Sequence, residues 1–272
     1  MGTTQRMTPG VSGEPNWPDL SKTITHISKT IEDENNLDNQ TFSPQEEAKL
    51  FKRINDRRSV HIKSAFRHLV ATGGGRKNIS AGKSKSIGKA GFKSANKITG
   101  FFSGVSGNGL QQTLTDIGFG SLQGKTFQEV IDFLLIFCSE SNEGMDETAA
   151  NKASCEVMKE IAELAGNDLS KFEELVKEYV DGIGLSEMLC KFWGLYIFEH
   201  LSQRFKEKIE QNKGSEIAKE TFKIIKDDIL GQVKVLNTQR PVTKIDWKGN
   251  AGKDEIEKIF DSIIKIICDE NN

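Results

Sequence analysis

The chain has 272 residues, enough for one large domain or two small ones with a substantial core. Its four cysteines form no CxxC or Cys/His pair and its four histidines show no metal-ligand spacing, which argues against a disulfide framework and against a structural metal. The formal charge of −2 hides an asymmetry: Lys49 to Lys97 carries fourteen Lys or Arg against one acid, Asp56, leaving the remainder acidic by roughly fifteen charges.

Residues 1–18, with three prolines, three glycines and one large apolar anchor at Trp17, read as an extended N-terminal arm. Gly2 is its chemically interesting position, because a small second residue lets methionine aminopeptidase remove Met1 and leaves a glycine amine. Myristoylation is a poor match, since Arg6 stands where that motif needs Ser or Thr. No stretch has the length or apolarity of a membrane span or the apolar core of a signal peptide, so a cytoplasmic protein is expected.

Leu20 to Ile31 mixes helix and strand patterns, and Glu32 to Gln40 reads as an acidic loop. Ser43-Pro44 is an N-cap followed by proline in the first turn, predicting a helix to about Ala71 with Phe51, Ile54, Ile62, Phe66 and Leu69 inward. Arg58 interrupts that face, so either its stem is buried with the head in water or the helix bends there.

Thr72 to Gly109 is both glycine-rich and basic. Ile87, Gly91, Ser94, Ile98, Phe102 and Val105 fall on one side of a helix, and Lys85, Lys89, Lys93 and Lys97 recur every fourth residue on the other. Each helical glycine costs about 1 kcal/mol relative to alanine, which implies tight packing or ordering on a partner. Gly82-Lys83-Ser84 imitates the end of a Walker A loop, but Lys77 stands where the first glycine belongs and no strand precedes it. Lysines with glycine-rich amides suit sequence-independent phosphate contact, with Arg57, Arg58, Arg67 and Arg76 as further candidates; a solvated face is the alternative.

The remaining chain reads as successive helices. Thr126 and Glu129 form a capping box opening a helix apolar nearly all round, expected at the centre of the core. Further helices are expected over Asp146 to Ala165, from a Ser170/Glu173 capping box to Gly182, through the aromatic run Met188 to Ile209, from Ile217 to Gly231, and from Asp254 onward. Val233 to Trp247 reads as loop or weak hairpin placing Trp247 on the core. The fold class is therefore all-α: a single globule of seven or eight helices, divided by composition into the arm 1–18, a basic Gly-rich region 19–109 and an acidic helical core 110–272. No catalytic constellation, cofactor motif or metal motif is evident, and the protein is not expected to be an enzyme.

The opening Met1-Gly2-Thr3-Thr4, the Pro/Gly arm ending in Asn16-Trp17, the Thr72-Gly73-Gly74-Gly75-Arg76 turn and the Gly/Ala/Ser/Lys segment after it together resemble the QatB family, the B component of four-gene Qat anti-phage defence systems. The resemblance is clearest from Met1 to about Gly124, and the acidic helical remainder fits in general character. It implies three partners: an ATPase, a protein similar to the 7-cyano-7-deazaguanine synthase QueC, and a TatD-like nuclease. It further implies that the QueC-like partner attaches a deazaguanine-type group to the amino-terminal glycine, here Gly2. The competing expectation, drawn from the residues alone, is a sequence-independent nucleic-acid sensor or adaptor using the basic region 49–97.

Overall fold

The computed structural model describes residues 17–38, 41–139, 144–239, 245–247 and 249–268, in which every regular element is a helix. The first, α1 (Trp17–Asp38), overrides both readings made for it, undecided and then loop. Leu20, Ile24, Ile27 and Ile31 form one fully buried stripe at helical spacing. The acidic end stays helical because neighbouring helices supply cations: Lys213 reaches Glu32 at 2.7 Å, Arg57 reaches Asp33 at 2.9 Å, and Arg58 pairs with Glu34. Local composition predicted a loop, and tertiary charge pairing decided otherwise.

As the sequence predicts, α2 (Pro44–Thr72) begins with Ser43 as N-cap and Pro44 in its first turn, and the structure adds Glu46, which completes a capping box with Ser43. It runs uninterrupted through Arg58, which is buried in both stem and head. The guanidinium donates from Nε to Thr30 Oγ1 at 3.0 Å and from Nη2 to the Thr30 carbonyl at 3.3 Å, so α1 takes the place the sequence reading gave to water or to a bend. After Gly73 the chain makes one short turn, α3 (Arg76–Ser80), before α4 (Lys89–Asn108).

Beyond α5 (Leu110–Asp116), α6 (Phe127–Cys138) starts at the predicted Thr126/Glu129 capping box. Its position differs from expectation. Only Val130, Ile131, Leu134 and Cys138 are buried, and Ile136 is 75% exposed, so α6 lies at the edge of the globule against α7 and α4. An all-apolar helix does not report which side faces inward. Next come α7 (Met145–Ala165), stopped by left-handed Gly166, and α8 (Leu169–Asp181). Asp168 caps α8, accepting from the Ser170 and Lys171 amides at 2.8 and 3.1 Å, in place of the Ser170/Glu173 box.

The centre is α9 (Gly184–Lys213), whose residues Leu189, Cys190, Phe192, Trp193 and Tyr196 are fully buried. Helix α10 (Ser215–Gln239) continues through Gly231, where the sequence suggested a stop. A side chain there would meet nothing within 4 Å, and Val233 is buried just beyond, so packing carries the helix past the glycine's propensity cost of about 1 kcal/mol. Trp247 is buried as expected, and α11 (Asn250–Ile267) places Ile256, Ile259, Phe260, Ile263, Ile264 and Ile267 against the core. One hydrophobic core runs from Trp17 to Cys268 and crosses the compositional boundary at Gly109 without a break. The molecule is a single all-α globular domain.

Candidate functional site

The lysine stripe is carried by α4, and the inner face of that helix explains Gly88 and Gly91. Gly88 has φ +112°, and a Cβ there would lie 2.4 Å from the Ile79 carbonyl oxygen, so only glycine fits. A Cβ on Gly91 would lie 2.5 Å from Trp193 Cζ3 and 2.9 Å from Tyr196 Cζ, so the backbone of α4 is seated directly on the central aromatic pair. Ser94 Oγ donates to the Cys138 carbonyl at 3.1 Å. Of the two explanations for a glycine-rich basic helix, close packing is the one realised.

The amino end of α4 is capped from another helix. Asp146 on α7 accepts from the Gly88 amide at 3.1 Å and the Ala90 amide at 2.7 Å, satisfying donors that every helix start leaves open. Tyr196 donates its hydroxyl to the same carboxylate, and His200 Nε2 lies 3.1 Å from it. Burial pushes the Asp146 carboxyl upward, but hydrogen bonds from His200, Ala90 and Tyr196 outweigh it and hold the group at about 2. Burial pulls His200 down to about 4 despite the opposing hydrogen bond to Asp146. His200 Nδ1 is buried without a hydrogen-bond partner among the described residues, which suits an imidazole donating from Nε2 with a bare lone pair at Nδ1. The Tyr196 hydroxyl is driven well above its usual range, by burial first and then by the Asp146 charge. Nothing in the spacing of Asp146, Tyr196 and His200 along the chain announces this cluster, because its centre is a backbone amide of a distant helix.

Outside, Lys89 and Lys93 are exposed and Lys97 is half-buried, its Nζ donating to the Ser139 carbonyl at 2.9 Å and lying 5.9 Å from the centre of the Phe137 ring. These three lysines line one open groove with Phe92, Asn96 and a residue the sequence reading did not include, Lys253 of α11. Lys85 is exposed but sits in the non-helical approach to α4, so the stripe on the helix proper begins at Lys89. The arginines are not gathered there. Arg57 is held by Asp33, Arg58 by Thr30 and Glu34, Arg67 by the Cys268 carbonyl at 2.8 Å, and Arg76 by Asp261 at 2.9 Å. Gly2 lies outside the described residues.

His61 on α2 meets His26 on α1 with ring centres 5.0 Å apart. Among the described residues no group of three or more His, Cys, Asp or Glu side chains is placed to hold a metal ion, and no helix is long and apolar enough to cross a membrane.

A family model described as Qat anti-phage system associated protein QatB matches residues 80–267. The match therefore takes in the Gly/Ala/Ser/Lys segment and α4 to α11, including the acidic helices that resembled the family only in general character, and it leaves out the Met1-Gly2-Thr3-Thr4 opening, the Pro/Gly arm and the Thr72-Gly73-Gly74-Gly75-Arg76 turn. No curated protein and no solved structure matches the chain. Since the family match spans well over half of the sequence, the chain belongs to the QatB family and is a component of a Qat anti-phage defence system.

Proposed function

We propose that this protein is a non-enzymatic component of its defence system, acting in the cytoplasm. Its Gly2, exposed by removal of Met1, is the substrate of a QueC-like partner that attaches a deazaguanine-type group. Its helical body docks the other components, an ATPase, the QueC-like protein and a TatD-like nuclease. The observation that carries the non-enzymatic part is the use made of the Asp146, Tyr196 and His200 cluster. Its carboxylate is spent on the amides of α4, and Tyr196 and His200 are fully buried, so the cluster holds a helix in place.

Support for Gly2 comes from the family and from where the chain enters the body. Trp17 is seated on Phe205, ring centres 5.7 Å apart, with the Arg204 guanidinium 4.6 Å from the centre of its ring. Fourteen residues lie between Gly2 and that anchor, a contour of at most about 50 Å, enough to present an amine to an enzyme held clear of the body. The test is the intact mass of the protein co-expressed with its genomic neighbours, with the amino-terminal peptide fragmented. An added mass confined to Gly2, absent from Gly2→Pro, is expected. An unmodified glycine beside an active QueC-like partner overturns the reading.

A second reading, sequence-independent contact with nucleic acid through the basic region, is favoured by the groove in which Lys253 joins Lys89, Lys93 and Lys97. The candidate arginines Arg57, Arg58, Arg67 and Arg76 pair elsewhere in the fold and do not line this groove, so Lys89, Lys93, Lys97 and Lys253 carry this reading.

A further inference from the structure

The lysine groove borders α6 through Lys97. At one end the half-buried ring of Phe92 forms part of its wall. At the other, Lys97 leads over the Phe137 ring to an aromatic row along α6. Phe137 and Phe133 lie 6.4 Å apart with planes within 16° of parallel, and Phe119 lies 5.0 Å from Phe133. All four phenylalanines are partly buried, each packed on the core with part of its ring reaching the surface: Phe92 on α4, Phe119 in the segment between α5 and α6, and Phe133 and Phe137 on α6.

Successive lysines of α4 are one i to i+4 step apart, a rise of about 6 Å, and Lys253 widens the charged strip from the side. A surface made only of lysines suits any polyanion. Cations beside partly exposed aromatic rings suit a narrower class, because bases stack on rings only when they are not already paired and stacked in a duplex.

We propose that the strip running from Phe92 past Lys89, Lys93, Lys97 and Lys253 to Phe137 and Phe133 binds single-stranded nucleic acid without sequence preference, its lysines meeting phosphates and its phenylalanines stacking bases. The inference rests on the second reading above and narrows it. Glu129, one turn before Phe133, marks the end of the strip; its carboxylate is tied to Thr126 and Lys125.

The experiment is fluorescence anisotropy of the full chain with a labelled oligothymidylate, an abasic strand of the same length and a duplex of matched phosphate number, across a salt series. Oligothymidylate should bind about tenfold more tightly than either of the others. Replacing Lys89, Lys93, Lys97 and Lys253 together by glutamine should flatten the slope of log affinity against log salt by about 3, at roughly 0.7 per phosphate contact. Phe137→Leu and Phe133→Leu should weaken oligothymidylate binding several-fold and leave the abasic strand unchanged, with unaltered thermal transitions as the control for folding. Equal affinity for the duplex or the abasic strand overturns the single-strand inference and leaves phosphate contact standing. No binding of any probe at low salt overturns both.

Discussion

At the scale of single residues, Asp146 and His200 carry a consequence for stability against pH. The folded His200 has its pKa depressed to about 4 from an ordinary 6.5, chiefly by burial, so the native state resists protonation. Above pH 6.5 neither state binds the proton, and the contribution is fully present. As pH falls from 6.5 towards 4 the unfolded chain takes up a proton that the native chain does not, and stability drops by on the order of 3 kcal/mol. Asp146 acts in the same direction lower down, between its ordinary 3.8 and about 2. His200→Gln keeps an N–H for Asp146 but does not titrate. Its denaturation midpoint should be lower throughout and should fall less between pH 6.5 and 4.5; a parent and variant with equally steep profiles would show that His200 is not the titrating group.

At the scale of elements, α4 contains two glycines whose substitution by alanine should move stability in opposite directions. A methyl at Gly91 collides with Trp193 and Tyr196, both fixed in the core, and overpacking of this kind costs about 1–3 kcal/mol, more than the helix propensity gained. A methyl at Gly100 on the same helix meets nothing within 4 Å, and alanine there should stabilise by up to about 1 kcal/mol. Chemical denaturation of the two single variants checks the pair. A stabilised Gly91→Ala would mean that α4 is not held against α9 as described. The same comparison shows how far the site was legible in the sequence. The lysine spacing and the apolar face of α4 could be read directly, because both are local periodicities. Lys253, the aromatic row of α6 and the Asp146 cap could not, because each comes from another helix.

At the scale of the molecule, one continuous core encloses Cys138, Cys190 and Cys268, while Cys155 is partly exposed beside the groove between α6 and α7. Burial pushes the Cys138 thiol up to about 12, so it offers no thiolate at neutral pH. An aromatic disulfide reagent should therefore modify Cys155 first in the native protein, and all four thiols together once it is denatured. Fast native reaction at Cys138 would mean that α6 opens from α4.

Helix starts with side-chain caps written beside them, Ser43 with Glu46 and Thr126 with Glu129, were determined by the sequence alone, as were the periodic stripes of α2 and α11. These are interactions over three or four residues, and the chain carries them wherever it goes. The helicity of the acidic end of α1, the passage of α10 through Gly231, the burial of Arg58 and the edge position of α6 were decided only by the tertiary structure. In each of these the controlling partner lies far along the chain: Lys213 on Glu32, the packing around Val233, Thr30 on Arg58, and the long aromatic α9 occupying the centre. A charge or an apolar side chain states what it needs locally, and the fold decides which distant group supplies it.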